Sequence, residues 1–277
     1  MFKYIGDDRD VVEKVLVGNT VKYTSPVDFN DPFDSKPHLA KTDVHIFSLA
    51  LEEAVDIKYQ QQIKFGGRVD LLQPSFKNKS FAYNWARELN EDHINWSNNF
   101  RDSINKYGVF CLSRKRDITL QWSHYGLHHK GICFEFDLSD EDTFGQSAEV
   151  NYSKDYPEIQ LMNFIKIRLH HDLNGLVYGD ELKDLLDEIH YKTFLVKDIG
   201  WKYEEEVRFI RKQHGVIKFN PKYLKGVIFG AKCKQEFIDY VQKLIECHVP
   251  HVYQEKLKLH NNKYELVRDW YIPPKSS

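Results

Sequence analysis

The sequence predicts an α+β protein in which a central set of mixed or antiparallel strands carries the candidate chemistry. Short apolar or alternating runs, typical of strands, occur near the N-terminus, on both sides of residues 119–131, and over the last third of the chain. Two longer segments place apolar residues three and four apart, which is the spacing of amphipathic helices. We therefore predict a single domain over residues 1–277 with helical insertions at about 40–106 and 157–197.

The elements follow from these two periodicities, taken in chain order. Strands are predicted at residues 2–5, 20–24, 109–112, 131–136, 150–152, 203–211, 215–219, 224–230, 251–259 and 264–270. Helices are predicted at residues 10–16, 49–62, 81–107, within 157–197, and at 234–247. Short separations predict that 203–211 pairs with 215–219, and 251–259 with 264–270, as hairpins.

Capping and breaking residues set the predicted boundaries. Asp8 or Asp10 suits the N-cap of the first helix, and Gly18 suits its end. Glycines and a proline in residues 64–79 predict a loop between two helices, and Asn174-Gly175 predicts an interruption in the second helical block.

Composition narrows the class of protein. The net charge of -2 gives no overall field that would attract nucleic acid or anionic lipid. Aromatic residues make up 14% of the chain, which suits both a core and stacking surfaces. The four cysteines form no Cys-x-x-Cys pair, the start of the chain has no signal-peptide pattern, and no apolar run is long enough to cross a bilayer. We expect a reduced, cytoplasmic protein without a membrane segment.

The segment at residues 119–131 is the strongest candidate for a ligand site. Large side chains with polar tips lie here between two predicted strands: Trp122, His124, Tyr125, His128 and His129. Such residues can stack on a flat ring and hydrogen-bond around it. The alternative is a short helix whose aromatic residues close the core. Cysteines or carboxylates at ligand spacing are missing nearby, so no metal is predicted.

A run of three glutamates at residues 204–206 is the second candidate. On a strand, Glu204 and Glu206 share one face and Glu205 lies on the other. Two carboxylates on one face suit acid–base chemistry or ribose binding, and crowding raises the pKa of at least one of them. The alternative is an exposed acidic strand that pairs with Arg208 and Arg211.

Several short motifs occur in an order that resembles the bacterial family called domain of unknown function 2971. They extend from Lys3 to Gly230, and together they are more specific than any one alone. The motifs are Lys3-Tyr4, Phe-Asn-Asp-Pro-Phe-Asp at 29–34, Cys-Leu-Ser at 111–113, Gln-Trp-Ser-His-Tyr-Gly at 121–126, His-x-Gly-Ile-Cys at 129–133 and Tyr-Glu-x-Glu-x-Arg at 203–208.

The order of strands and a late Glu-x-Glu also resemble, more distantly, the ADP-ribosyltransferase fold. That resemblance implies NAD as substrate, with Glu206 bonding the nicotinamide ribose and Glu204 orienting the acceptor. It places His124 with them as a catalytic residue, and it implies a toxin or phage-defence role. It differs in the first strand, which has neither His nor Arg at the early clamp. The binding residues implied are Lys3, Tyr4, Ser25, Ser113, Trp122, Tyr125 and His129.

Two other classes of function stay open at this point. A nucleotide- or nucleic-acid-binding protein without NAD chemistry would use the basic residues beside the aromatic segment, which are Arg114, Lys115, Arg116 and Lys130. A non-enzymatic protein would instead present the helical blocks to a protein partner. The sequence does not specify the acceptor or the oligomeric state.

Overall fold

The computed structural model describes residues 1–64, 79–138, 141–172 and 179–275. Its strands are β1 Phe2–Ile5, β2 Thr20–Tyr23, β3 His38–Ala40, β4 Gly108–Ser113, β5 Ile132–Phe136, β6 Ser147–Glu149, β7 Asn151–Ser153, β8 Glu158–Gln160, β9 Val196–Asp198, β10 Glu206–Arg211, β11 Gly215–Lys218, β12 Leu224–Phe229, β13 Tyr253–Leu259 and β14 Leu266–Ile272. Its α-helices are α1 Arg9–Leu16, α2 Val44–Lys64, α3 Lys79–Glu91, α4 His93–Ile104, α5 Thr119–His124, α6 Glu141–Phe144, α7 Leu161–Asp172, α8 Gly179–Phe194 and α9 Gln235–His248. Short 3-10 helices cover Pro26–Asp28, Ile199–Glu204 and Pro221–Tyr223.

The chain divides into two compact units. The first contains Met1–Asn30, Asn105–Tyr152 and Lys197–Ser277, and the second contains Asp31–Ile104 and Ser153–Val196. The two predicted helical insertions fall almost entirely within the second unit. The prediction that the whole chain is one domain stays a prediction.

A large mixed sheet organises the first unit. Its strand order is β14-β13-β12-β5-β1-β4-β10-β6. The β12–β13 pair is parallel, whereas β1 pairs antiparallel with both β4 and β5, and β10 pairs antiparallel with β4. The predicted α+β class with mixed strands is therefore confirmed. The finer likeness to the ADP-ribosyltransferase fold stays a prediction.

Alternation along the strands gives this sheet two different faces. On one face, Phe110 of β4 and Phe209 of β10 join the main core with α1 and α9. On the other face, β4 and β10 carry polar side chains, and the register places Glu206 opposite Ser113 and Arg208 opposite Cys111. Further along that second face, a smaller core contains Tyr4, Trp122, Cys133, Ile228, Leu257 and Leu266.

The N-terminal helix α1 begins and ends as the sequence predicts. The Asp8 carboxylate accepts a hydrogen bond from the Val11 amide at 3.2 Å, which caps the first turn. At the other end, the amide of Gly18 bonds the Glu13 carbonyl at 3.0 Å. Val12, Val15 and Leu16 are buried, so one face of the helix packs on the sheet.

One predicted hairpin is wrong. Strand β11 does not pair with β10 but with β2, in the register Gly215 to Tyr23 and Lys218 to Thr20. The physical reason is burial, because Val21, Tyr23 and Phe219 all contribute to the main core. The hairpin of β13 and β14 is confirmed.

The second unit packs helices around a parallel pair of short strands, β3 and β8. Its core residues are Leu39, Phe47, Leu51, Ala86, Ile159, Leu161 and Met162. The helix predicted at 81–107 is two helices, α3 and α4. Asn90, near the end of α3, is buried and exchanges two hydrogen bonds with the Thr42 backbone, at 3.2 and 2.5 Å. The predicted loop at 64–79 and the interruption at Asn174-Gly175 lie outside the described residues, except at the loop ends.

Within the described ranges, no helix combines the length and the apolar character needed to span a membrane.

A glycine where β5 approaches β1 provides a test of the packing. A Cβ atom on Gly131 would lie 2.1 Å from the backbone oxygen of Ile5. That oxygen belongs to the main chain, so it cannot avoid the clash by a side-chain rotation. We expect Gly131→Ala to lower the free energy of unfolding by about 1–3 kcal/mol, measured by urea denaturation. Gly6→Ala is the control, since its nearest atom would be the Leu127 Cβ at an ordinary 3.4 Å. Equal losses in the two variants would contradict this interpretation.

Candidate active site

The glutamate run does not lie on one strand, as the sequence predicted. Glu204 ends the 3-10 helix, Glu205 adopts a left-handed conformation with φ of 44°, and β10 begins only at Glu206. The Asp198 carboxylate starts the 3-10 helix by accepting from the Gly200 amide at 2.8 Å. The turn at Glu205, and not a shared strand face as predicted, brings the side chains of Glu204 and Glu206 together.

Both carboxylates meet at one ammonium group. The Lys197 Nζ lies 2.6 Å from Glu204 Oε2 and 3.0 Å from Glu206 Oε2. All three side chains are only 4–5% exposed. Lys197, on the short strand β9, is the site residue that sequence reasoning missed. Its only sequence signal is a charged residue after the apolar Leu195-Val196, which is common in proteins.

Glu206 is held as an ionised group. Arg208 donates from Nε to its Oε1 at 2.9 Å and from Nη2 to its Oε2 at 3.1 Å. Burial alone would raise the pKa of Glu206, but Arg208 and Lys197 outweigh burial and lower that pKa well below its ordinary value. The Arg208 guanidinium is fully buried and lies over the Phe29 ring at 5.6 Å. Both carboxylate oxygens of Glu206 therefore accept hydrogen bonds from positively charged side chains, those of Arg208 and Lys197.

Glu204 has a different environment. Its Oε1 accepts a hydrogen bond from the Tyr125 hydroxyl at 2.7 Å, and the Tyr125 oxygen accepts one from Asn30 Nδ2 at 3.2 Å. Burial raises the pKa of Glu204, Lys197 opposes that shift, and the nearby Glu206 adds to it; the net direction is upward. Burial and then Glu204 raise the pKa of Tyr125, so the phenol keeps its proton at neutral pH. Glu204 is thus the member of the pair that gains a proton more readily.

The Glu204 backbone is fixed by two side chains. Its carbonyl accepts from Ser113 Oγ at 2.8 Å and from Gln121 Nε2 at 2.7 Å. Ser113, one of the predicted binding residues, therefore uses its hydroxyl to hold the backbone of Glu204. Gln121 is buried, and its Oε1 has no hydrogen-bond partner among the residues described.

Three rings, His124, Trp201 and Tyr203, form what we call the aromatic rim. The His124 ring lies 6.1 Å from Trp201 and 6.2 Å from Tyr203, between centroids. His124 is exposed, and the other two are partly buried. Lys197 Nζ lies 4.9 Å from the centre of the Trp201 ring, so the rim adjoins the charged network.

Trp122 and Tyr4 were predicted to contact a ligand, and the structure corrects this because both belong to the core. Trp122 is fully buried, its Nε1 donates to the Arg116 carbonyl at 2.8 Å, and its ring meets Tyr4 edge-on at 5.1 Å. The Tyr4 hydroxyl donates to the Lys115 carbonyl at 2.7 Å. The indole beside the carboxylates is that of Trp201 instead.

His129 is also an internal residue. It is 7% exposed and stacks on Trp122 with centroids 6.4 Å apart. It ends a run of three residues with positive φ, Leu127, His128 and His129, which is a strained conformation for residues other than glycine. Burial, with Lys232 and His128, lowers the pKa of His129, so its imidazole is neutral at pH 7.

The predicted binding residues Lys3 and Ser25 contact backbone rather than the carboxylates. Lys3 Nζ donates to the Cys111 carbonyl at 2.9 Å and lies over the Phe110 ring. Ser25 is buried, and its Oγ donates to the Asn105 carbonyl at 2.6 Å. Of the predicted site residues, the structure brings together Glu204, Glu206, Tyr125 and Ser113, with His124 beside them.

The basic residues next to α5 are largely paired within the chain. Arg114 pairs with Glu149, Lys115 with Glu205, and Arg116 with Glu255. Glu255 is fully buried and also accepts from Arg268 at 3.2 Å. These ion pairs reduce the positive charge that the segment offers to a phosphate backbone.

Among the side chains whose placement is described, no group of three or more His, Cys, Asp or Glu is arranged to hold a metal ion.

The fold and the site define a mixed-sheet α+β protein with two glutamates joined by a buried lysine. A family model described as "Protein of unknown function (DUF2971)" matches residues 121–209, which include Gln121, Tyr125, Lys197 and both glutamates. The match covers less than half of the chain, and over that segment it supports the family resemblance drawn from the sequence. A search of curated proteins and a search of solved structures each returned no match.

Proposed function

We propose that the chain is an enzyme that cleaves the bond between nicotinamide and ribose in NAD, with water or a macromolecule as acceptor of ADP-ribose. The observation that supports this most is the meeting of Glu204 and Glu206 at Lys197, next to the aromatic rim. The family match carries no activity, so the proposal depends on the chemistry of these side chains.

The chemistry needs a carboxylate near the ribose. As the bond to nicotinamide breaks, positive charge develops on the sugar, and a fixed negative charge stabilises it. Both oxygens of Glu206 already accept from Arg208 or Lys197, whereas Glu204 Oε1 accepts from the neutral Tyr125 phenol. We therefore propose that Glu204 is the carboxylate that acts in the reaction and that Glu206 is the counter-ion of Arg208 and Lys197, whereas the fold resemblance gave Glu206 the contact with the ribose.

The aromatic rim supplies a surface for the flat ring of the ligand. Partly exposed aromatic side chains stack on heteroaromatic rings with little loss of conformational entropy. The exposed His124 lies between Trp201 and Tyr203 and adds a hydrogen-bonding group there. In this proposal His124 contacts the ligand, as predicted from the sequence.

The test is nicotinamide release from NAD, measured by chromatography with and without cell extract as a source of acceptor. We expect release by the wild-type chain and a loss of about 100-fold or more in Glu204→Gln, because the variant lacks the charge and cannot accept a proton. Glu205→Gln is the matched control, since Glu205 points to exposed Lys115 and should retain full activity.

Absence of both NAD binding, in a thermal-shift titration, and nicotinamide release would overturn the proposal. The network of Glu204, Lys197 and Glu206 would then have only a structural role.

Consumption of NAD inside a cell stops growth, so the proposal includes the toxin or phage-defence role that the fold resemblance implies. Induction of the wild-type chain in a bacterial culture should slow growth, and induction of Glu204→Gln to the same protein level should not. Equal growth curves would remove this part of the proposal.

A further inference from the structure

We propose that Tyr125 is a catalytic residue that relays a proton between Glu204 and a hydroxyl group of the acceptor. This inference rests on the function proposed above. It names the acceptor chemistry, which is an O–H group, either of water or of a sugar or side-chain alcohol.

The first reason is the position of Tyr125 between Glu204 and solvent. Glu204 is 4% exposed, and its Oε2 is bonded to buried Lys197. Its other oxygen accepts from the Tyr125 hydroxyl, and that hydroxyl accepts in turn from the exposed Asn30. These hydrogen bonds therefore lead from the surface to the buried carboxylate through one phenol.

The second reason is that Tyr125 is held in place, with its ring packed against the smaller core of the first unit. Its amide bonds the Gln121 carbonyl at 2.8 Å and closes the last turn of α5. At the next position, a Cβ on Gly126 would lie 2.6 Å from the Trp122 ring, so α5 ends tightly against the core. A proton relay needs such fixed geometry, because transfer requires heavy atoms within hydrogen-bond distance.

The third reason is that both partners have suitable protonation states. The raised pKa of Tyr125 keeps the phenol as a donor, and the raised pKa of Glu204 makes its carboxylate a better base than an ordinary glutamate. Lys197 stays bonded to the other oxygen of Glu204 throughout.

The proposed step balances. The acceptor O–H gives its proton to the Tyr125 oxygen while the phenol gives its own proton to Glu204 Oε1, which leaves a neutral carboxylic acid. The acceptor oxygen forms a bond to the ribose carbon. The electron pair of the breaking bond goes to the nicotinamide nitrogen and neutralises its positive charge. No oxidant or reductant takes part.

The decisive variant is Tyr125→Phe in the full chain. We expect the Kd for NAD to change less than about twofold and kcat to fall about 100-fold or more. The acid limb of the pH–rate profile should move to higher pH, because the Tyr125 hydrogen bond lowers the pKa of Glu204 and its loss lets that pKa rise. Tyr240→Phe is the control, since its hydroxyl bonds Glu13 on the opposite face of the sheet from the carboxylates.

A purely structural Tyr125 predicts a different result: a lower melting temperature, with kcat and the pH–rate profile unchanged. If Tyr125→Phe fails to fold, Tyr125→3-fluorotyrosine keeps the ring and the hydroxyl. Its more acidic phenol should move the same limb to lower pH, and an unmoved limb would overturn the relay. If the wild-type chain cleaves NAD and Tyr125→Phe retains the wild-type kcat, the relay is rejected and the proposed function still holds. Wild-type chain that neither binds nor cleaves NAD rejects both.

Discussion

Glu206→Gln is expected to lower the free energy of unfolding at pH 7 by about 3–5 kcal/mol, whereas Glu204→Gln is expected to leave it unchanged or slightly higher. The two changes are chemically identical and their sites share Lys197. The difference arises because Glu206 accepts two hydrogen bonds from the fully buried Arg208, and the substitution removes the negative charge that these bonds meet.

The dependence on pH has opposite signs at the two glutamates. The pKa of Glu206 is lowered on folding, so its contribution is present above the ordinary value of 4.5 and is lost as pH falls through the folded pKa. The pKa of Glu204 is raised, so its contribution is complete below 4.5 and is lost as pH rises through its folded pKa. Urea denaturation of wild type and both variants between pH 4 and pH 8 measures both effects. Equal destabilisation by the two variants at pH 7 would contradict the division of roles.

Lys197→Met should destabilise the fold about as much as Glu206→Gln, lowering the free energy of unfolding by about 3–5 kcal/mol at pH 7. The methionine fills the space of the alkyl stem but leaves two buried carboxylates facing each other without the ammonium. The loss should shrink as pH falls, because protonation of Glu204 removes the repulsion. For the same reason, the double variant Lys197→Met with Glu204→Gln should recover part of the stability.

Lys115→Met is the matched control for Lys197→Met. It removes a lysine that also pairs with a glutamate of the run, Glu205, but at an exposed position. Exposed pairs contribute less than about 1 kcal/mol, so this variant should unfold close to the wild-type midpoint. Two results would show that burial does not determine how much the network stabilises the fold. One is a similar loss of unfolding free energy in both lysine variants, and the other is a double variant no more stable than Lys197→Met.

The local elements were largely predictable. Strand β1, helix α1 with its Asp8 cap, strand β4 and helix α9 all follow from periodicity and capping residues, and the structure has them within a few residues. The partner of β11 was not predictable from separation along the chain. Its choice depends on which apolar side chains complete the core, and that is a property of the assembled sheet.

In the candidate site, too, the sequence identifies candidate residues and the tertiary structure decides which of them meet. Patterns in the sequence identify Glu204, Glu206 and Tyr125 as candidates, and the structure brings these three together. Trp122 was a reasonable ligand contact by residue type, yet only packing decides that it is buried while Trp201 lies beside Lys197.

The chain's residues by themselves determine the α+β class, most elements and the family resemblance, because hydrophobic periodicity, caps and short motifs are local properties. Tertiary structure alone decided that Lys197 joins the two glutamates, that Arg208 fixes one of them, and that Tyr125 reaches the other. Charges that are distant or unremarkable in sequence acquire these roles only when burial removes water and makes each pairing strong.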